Sequence, residues 1–302
     1  DISHIIVNGP SSTFIEVDGK LQKTSVSFKN TNHILNVCRR ILKHIGLKDP
    51  LAEPLTDLRL SDGSRVTIVL PPLSVDGPAL TIHRAAKLRF GFDQLVKIGA
   101  LTEEARKLLQ TLRCARTNIL IAGGRSSGKT TLVNCLVDGI QQEDRVIVCG
   151  DAVGFNQRRS HIVHLETRPQ NFNGEGQITM QDLVKSSVRQ RPHHIVVDEL
   201  RGAEAFDLLH AFLEGQEGAI ATVLAHSPVQ ALGRIEDMIF TSGCGLQRTD
   251  VRQQVCRLFP IIVQTALLTD GSRKVTEIRE VVGVEKNKVV LKKLFSFEPI
   301  EV

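Results

Sequence analysis

The sequence predicts an α/β protein in two parts: a larger C-terminal domain built on a mostly parallel sheet covered by helices, and a smaller N-terminal α+β domain. Three observations predict it. Apolar runs of strand length alternate with amphipathic stretches through residues 96–302. Short strand-like runs, hairpin turns and a single helical pattern fill residues 1–84. Between Asn118 and Val137 a strand, a glycine-rich loop and a helix follow one another directly.

In chain order, Ile5-Ile6-Val7 and Thr13-Phe14-Ile15-Glu16-Val17 read as strands with the turn Asp18-Gly19-Lys20 after them. From Asn32 to Ile45 apolar residues recur at helical spacing, which puts Ile34, Val37/Cys38, Ile41 and Ile45 on one face. Asp57-Leu58-Arg59-Leu60 and Arg65-Val66-Thr67-Ile68-Val69-Leu70 flank the turn Ser61-Asp62-Gly63-Ser64 as a second hairpin. Pro71-Pro72 ends that strand, because proline has no N–H for a ladder, and Leu80-Thr81-Ile82 makes a further one. Arg84 to Gly91 is charged and weakly periodic, so the linker between domains is placed at 85–95. Helices follow at about Phe92–Ile98 and Thr102–Cys114. Arg145-Val146-Ile147-Val148-Cys149, Ile162-Val163-His164-Leu165 and His194-Ile195-Val196-Val197-Asp198 are short strands, separated by amphipathic stretches such as Met180–Arg191 and Glu204–Leu213. The end of the chain, from Pro260, returns to strands around the turn Asp270-Gly271-Ser272.

Composition excludes several classes. With 302 residues the chain can bury one large or two ordinary cores. No apolar run approaches the roughly eighteen residues of a membrane span, and Asp1 opens no charged-then-apolar signal pattern. A cytoplasmic location is therefore expected, and the start at Asp1 suggests a longer natural N-terminus. The cysteines, Cys38, Cys114, Cys135, Cys149, Cys244 and Cys256, make no C-x-x-C pair, so free thiols are expected. The net charge of +5 is spread among acids, and the chain has no Trp or Tyr to stack on bases, so nucleic acid is not an expected partner.

Gly123-Gly124-Arg125-Ser126-Ser127-Gly128-Lys129-Thr130 fills the G-x-x-x-x-G-K-[ST] phosphate-loop pattern, directly after the apolar run Asn118-Ile119-Leu120-Ile121-Ala122. The glycines let successive backbone N–H groups face one way, and a helix starting near Gly128 adds the positive end of its dipole. Lys129 then reaches the β- and γ-phosphates of a nucleoside triphosphate, the Thr130 hydroxyl can ligate the Mg²⁺ that bridges them, and Thr131 continues the helix start. About seventy residues further on, Ile195-Val196-Val197-Asp198-Glu199 ends a strand in two acids. Open α/β sheets bind ligands at such strand ends. Asp198 is the expected Mg²⁺ ligand and Glu199 the group that orients attacking water, which makes ATP and Mg²⁺ the expected substrate and cofactor.

Beyond these motifs the chain resembles the secretion-type ATPases of bacterial pilus and secretion machines, most closely their tight-adherence pilus branch, called CpaF or TadA. The resemblance runs through Val7-Asn8-Gly9-Pro10, Leu60-Ser61-Asp62-Gly63-Ser64-Arg65-Val66 and Pro71-Pro72-Leu73-Ser74-Val75-Asp76-Gly77-Pro78. It continues through His164-Leu165-Glu166-Thr167-Arg168-Pro169, Gln190-Arg191-Pro192, Glu199-Leu200-Arg201-Gly202-Ala203-Glu204 and Leu268-Thr269-Asp270-Gly271-Ser272-Arg273. It implies a RecA-like ATPase domain behind a sensor-like N-terminal domain, assembled as a hexameric ring that works on an inner-membrane platform protein. It also implies nucleotide between the domains, with Arg65 and Arg84 matching N-terminal arginines that approach the phosphates. A guanidinium suits that role because its rigid fork engages phosphate oxygens and stays charged.

The departures from the family pattern matter as much. Its acidic box is represented by Val148-Cys149-Gly150-Asp151-Ala152-Val153-Gly154-Phe155, in which Asp151 survives while Gly150 and Gly154 stand where glutamates are expected. Its histidine box appears as Glu214-Gly215-Gln216-Glu217-Gly218 and Thr222-Val223-Leu224-Ala225-His226. Gln216 retains a donor for phosphate, Leu224 does not, and His226 stands two residues beyond the expected histidine. Two readings follow: a slow ATP-driven motor, or a nucleotide-binding pseudo-ATPase that sets ring conformation or partners an active paralogue. A RecA-like nucleic-acid motor is a third, disfavoured by the mild charge.

Overall fold

The computed structural model describes residues 2–17, 20–44, 54–84, 90–151, 160–170 and 174–297. Asp18 and Gly19 of the first expected turn, Ile45 of the helical face, residues 85–89 of the linker and Gly154 lie outside them. The chain divides into two compact units, the first centred on residues 1–89 and the second on residues from 90 onward.

In the first unit, strands β1 (Ile2–Asn8), β2 (Thr13–Val17) and β3 (Lys20–Lys23) precede helix α1 (Thr31–His44), and β4 (Leu55–Arg59), β5 (Arg65–Val69) and β6 (Ala79–His83) follow it. They form a six-stranded sheet in the order β3-β2-β1-β6-β5-β4, with antiparallel pairing throughout. Strand alternation is clean in β5, where Val66 and Ile68 face the core and Arg65, Thr67 and Val69 do not. The face of α1 that closes this core is Ile34, Cys38 and Leu42, all fully buried, against Val7, Leu58, Val66, Ile68 and Leu80. Spacing had favoured Ile41 for the third turn; a strict four-residue step selects Leu42, and Ile41 packs at the margin.

The second unit opens with α2 (Phe92–Lys97) and α3 (Glu103–Cys114), then β7 (Ile119–Gly123), α4 (Lys129–Asp138), β8 (Val146–Gly150), β9 (Ile162–Glu166), α5 (Met180–Val188) and β10 (His194–Val197). It continues with α6 (Glu204–Leu213), β11 (Ile220–Leu224), α7 (Pro228–Thr241), α8 (Arg248–Leu258), β12 (Ile261–Leu267), β13 (Arg273–Glu285) and β14 (Lys288–Ser296). Phe92 and Leu95, inside the range expected for the linker, are buried in this unit's core. The eight strands run in the order β14-β13-β12-β7-β11-β10-β8-β9. From β12 to β9 all pairs are parallel, and β12-β13-β14 form an antiparallel edge.

Both faces of the sheet are covered, which is why β7 and β8, and β10 after His194, are apolar without alternation. Within β7, Ile119 and Ile121 point to the core formed with α3 and α4, whereas Leu120 and Ala122 point to the core formed with α5 to α8. Helix starts are set by local polar residues. Thr102 accepts from the Ala105 N–H, Thr179 and Asp182 cap each other reciprocally, and Ser227 caps α7 with Pro228 in its first turn. No helix among the described residues is long and apolar enough to cross a membrane.

Candidate functional site

The sheet order assembles the site. β7 is central, and its chain leaves through residues 124–128 into α4, so the glycine-rich loop sits over the C-terminal ends of the parallel strands. Gly128 precedes α4 at φ +97 and Ser126 lies at φ +58, so two of the five loop residues between strand and helix adopt the left-handed region. At Gly123 any side chain is excluded: a Cβ there would lie 2.3 Å from both Ser127 Oγ and Thr265 Oγ1. Arg125 is exposed on the loop, and Thr130 and Thr131 are half-buried in the first turn of α4.

Lys129 Nζ donates to the Gly123 and Gly124 carbonyls at 3.0 and 2.7 Å. Burial pushes its ammonium below the usual lysine range, while the nearby Glu199 and Asp198 carboxylates pull it back up. Thr130 Oγ1 donates to Asp198 Oδ1 at 3.4 Å, which brings the two residues expected to share Mg²⁺ together. Burial raises the Asp198 carboxyl, opposed chiefly by the hydrogen bond from Thr222. A hydroxyl and a carboxylate are hard oxygen donors, and Mg²⁺ is held by one or two such side chains together with phosphate and water. The donor set therefore fits that ion. No cluster of three or more His, Cys, Asp or Glu side chains able to hold a metal by themselves occurs among the described residues.

Thr222 opens the second half of the histidine box, where its residue type marks no role of its own, and it is a site residue. β11 lies between β7 and β10, so Thr222 stands between the phosphate loop and the acidic strand end. Its hydroxyl accepts from the Glu199 N–H at 2.7 Å and donates to Asp198 Oδ1 at 3.3 Å. Glu199 itself is at φ +61, a conformation that a non-glycine residue holds at a cost of about 1–3 kcal/mol. Arg201 adds a second tie: its Nε donates to Glu199 Oε1 at 3.1 Å and its Nη1 to Asp151. Thr167 Oγ1 donates to the same aspartate at 2.8 Å, so Asp151 stands in a charged group that reaches Glu199 through one guanidinium. Gly150 ends β8 immediately before it.

Two expectations from the histidine box come out differently. Gln216 lies ahead of the N-terminal end of β11, at the opposite end of the parallel strands from the phosphate loop, and its Nε2 donates to the Glu217 carbonyl at 2.9 Å. Its expected donation to phosphate is therefore corrected: the five residues of β11, each rising about 3.3 Å, separate the two ends. His226 stands at the right end. Its Cε1 is 3.9 Å from where a Cβ on Gly124 would be, and its N–H donates to Gln230 Oε1 at 2.7 Å. Arg65 and Arg84 belong to the first unit, where Arg65 pairs with Asp57 at 3.5 Å and Arg84 Nη1 donates to the Ile2 carbonyl at 3.4 Å.

A central parallel strand, a glycine loop opening a helix, and two acids on a nearby strand end define a phosphate-loop protein of the α/β class. More narrowly, the chain belongs to the Type II/IV secretion system protein family, whose profile matches residues 1–270. It is 29% identical over 280 residues to a putative conjugal transfer protein of Mycobacterium tuberculosis, covering 91% of this chain and 79% of that one. The type IV secretion system protein VirB11 of Bartonella quintana is 25% identical over 91% of this chain and 86% of its own. Among solved structures, the pilus retraction motor PilT with bound ADP aligns with a TM-score of 0.65 at 18% identity, over 99% of this chain and 80% of that one. The ATPase DotB of Legionella pneumophila gives 0.61 at 17%, over 95% and 78% respectively. Those structural likenesses speak for the fold.

Proposed function

We propose that this chain binds and hydrolyses ATP as the motor subunit of a pilus or secretion machine of the tight-adherence, CpaF/TadA-like branch. The observation that carries this reading is the meeting of Lys129, Thr130, Asp198 and Glu199 at one end of the sheet, with Thr130 and Asp198 3.4 Å apart. Residues 123–131 cradle the phosphates with backbone N–H groups, and Lys129 exchanges its loop carbonyls for the β- and γ-phosphate oxygens. Thr130 and Asp198 would hold Mg²⁺, which when bound neutralises charge on those oxygens. Glu199, fixed by the Thr222 hydroxyl, orients the attacking water and draws off its proton.

In this reading Arg65 and Arg84, matched through the family resemblance, neutralise the charge that develops on the transferring phosphoryl group. His226, beside Gly124, substitutes in this reading for the missing histidine of the box. In the same reading the N-terminal domain spans 1–84 and the ATPase domain 96–302 together with α2, which packs into its core, and six copies form a ring that works on an inner-membrane platform protein from the cytoplasmic side. The names of the relatives, conjugal transfer protein, secretion system protein and pilus motor, support a translocation or pilus machine. Gly150 favours a second reading, a nucleotide-binding pseudo-ATPase that regulates or partners an active paralogue, because a glycine neither positions water nor accepts a proton.

Phosphate release separates the two. Lys129→Ala should abolish ATP binding, while Glu199→Gln should retain binding and lower turnover about a hundredfold. Turnover insensitive to both changes would remove the motor reading, and tight ATP binding without turnover in the unaltered chain would establish the pseudo-ATPase.

A further inference from the structure

We infer that Arg273, the first residue of β13, is a positioning residue for nucleotide: it braces the phosphate loop from outside through the Ser126 carbonyl. The inference rests on the nucleotide-site reading above and assigns to that site a residue 147 positions away in sequence.

Arg273 Nε donates to Ser126 O at 2.7 Å, the short distance of a charge-assisted hydrogen bond. Its aliphatic carbons lie 3.7 and 3.8 Å from the position a Cβ would take on Gly128, so the side chain lies along the loop's outer surface. A trans peptide is planar, with its carbonyl and its N–H pointing in opposite directions. A guanidinium that holds the Ser126 carbonyl outward therefore turns the Ser127 N–H the other way, toward the concave side where phosphate sits. Ser126 needs this help, because its φ of +58 is a conformation that serine seldom adopts.

A second contact from the same hairpin acts on the next residue. Thr265 Oγ1, on β12, shares a hydrogen bond of 2.8 Å with Ser127 Oγ, which also donates to the Gly124 carbonyl at 2.9 Å. The brace has a firm footing. Next to Arg273, Lys274 Nζ donates to the Gly99 carbonyl at 2.9 Å, and the Val275 N–H donates to the Ala100 carbonyl at 2.9 Å. The turn itself is closed by Leu268 N–H to Ser272 O at 2.8 Å and Ser272 N–H to Asp270 Oδ1 at 2.8 Å, with Gly271 at φ +82. The phrase Asp270-Gly271-Ser272-Arg273 thus spends its first three residues on aiming the fourth.

The test is titration of Mg·ADP, followed through a fluorescent ribose-labelled analogue, together with steady-state phosphate release from Mg·ATP. Wild type, Arg273→Ala, Arg273→Lys and Lys129→Ala are compared. Loss of one charge-assisted bond should weaken ADP binding about tenfold in Arg273→Ala. KM for ATP should rise by a similar factor with a smaller change in kcat. Arg273→Lys should recover only part of the affinity, since it keeps the charge but not the fork. Wild-type affinity in Arg273→Ala, with binding lost in Lys129→Ala, overturns the brace alone. Wild-type affinity in Lys129→Ala overturns the site reading beneath it.

Discussion

Glu199 adopts a backbone conformation that its own side chain disfavours, and a single threonine hydroxyl supplies the hydrogen bond that secures it. Thr222 is fully buried, so nothing but protein can replace that hydroxyl. Thr222→Val keeps the shape and the strand propensity but leaves the Glu199 N–H without an acceptor and takes from Asp198 Oδ1 one of its two hydroxyl donors, Thr130 being the other. Unfolding free energy, read from urea midpoints, should fall by about 1–3 kcal/mol. Turnover should fall further than nucleotide affinity, because the phosphate loop itself is untouched. Arg201 holds the Glu199 carboxylate from the solvent side, and its bond to Asp151 joins the surviving acid of the acidic box to Glu199.

Among elements, β7 has no room for a side chain at its last residue. At Gly123 an added methyl group would press on Ser127 Oγ and Thr265 Oγ1 at 2.3 Å and on the Thr265 carbonyl at 2.8 Å. Gly123→Ala should therefore push β7 away from β12, cost about 1–3 kcal/mol as an overpacked core does, and weaken ADP binding in a titration. The loop and the Asp198-Glu199 strand end were legible in the sequence because each is a continuous local pattern. Thr222, Thr265 and Arg273 were not legible as site residues, since what recruits them is the order of strands: β7 between β11 and β12. No periodicity encodes that order. The same limit explains Gln216, whose place in a motif says nothing of where β11 begins. In α1 the apolar pattern gave the helix and two of the three turns of its buried face, and the choice between Ile41 and Leu42 was made by packing.

For the whole molecule, the proposed ring carries a quantitative expectation. If copies complete one another's sites only in the assembled ring, specific ATPase activity should rise with protein concentration in step with the mass measured by light scattering. Activity per chain that stays constant across the assembly transition would contradict shared sites. The mixed sheet imposes a further condition on how each copy comes into being. β7 pairs with β11 and β12, so the strand that carries the phosphate loop gains its two neighbours only after residues 220–224 and 261–267 exist. Arg273 reaches Ser126 later still. On a ribosome adding about 5–20 residues per second, the loop waits on the order of ten seconds for the chain that will hold it. Until residue 220 is made, β7, apolar along its whole length, has neither flank covered, and until residue 261 it has one flank open. The nucleotide site is thus among the last parts of the domain to be finished during synthesis, and a nascent chain stalled before β12 should be unable to hold ATP and prone to association through that strand.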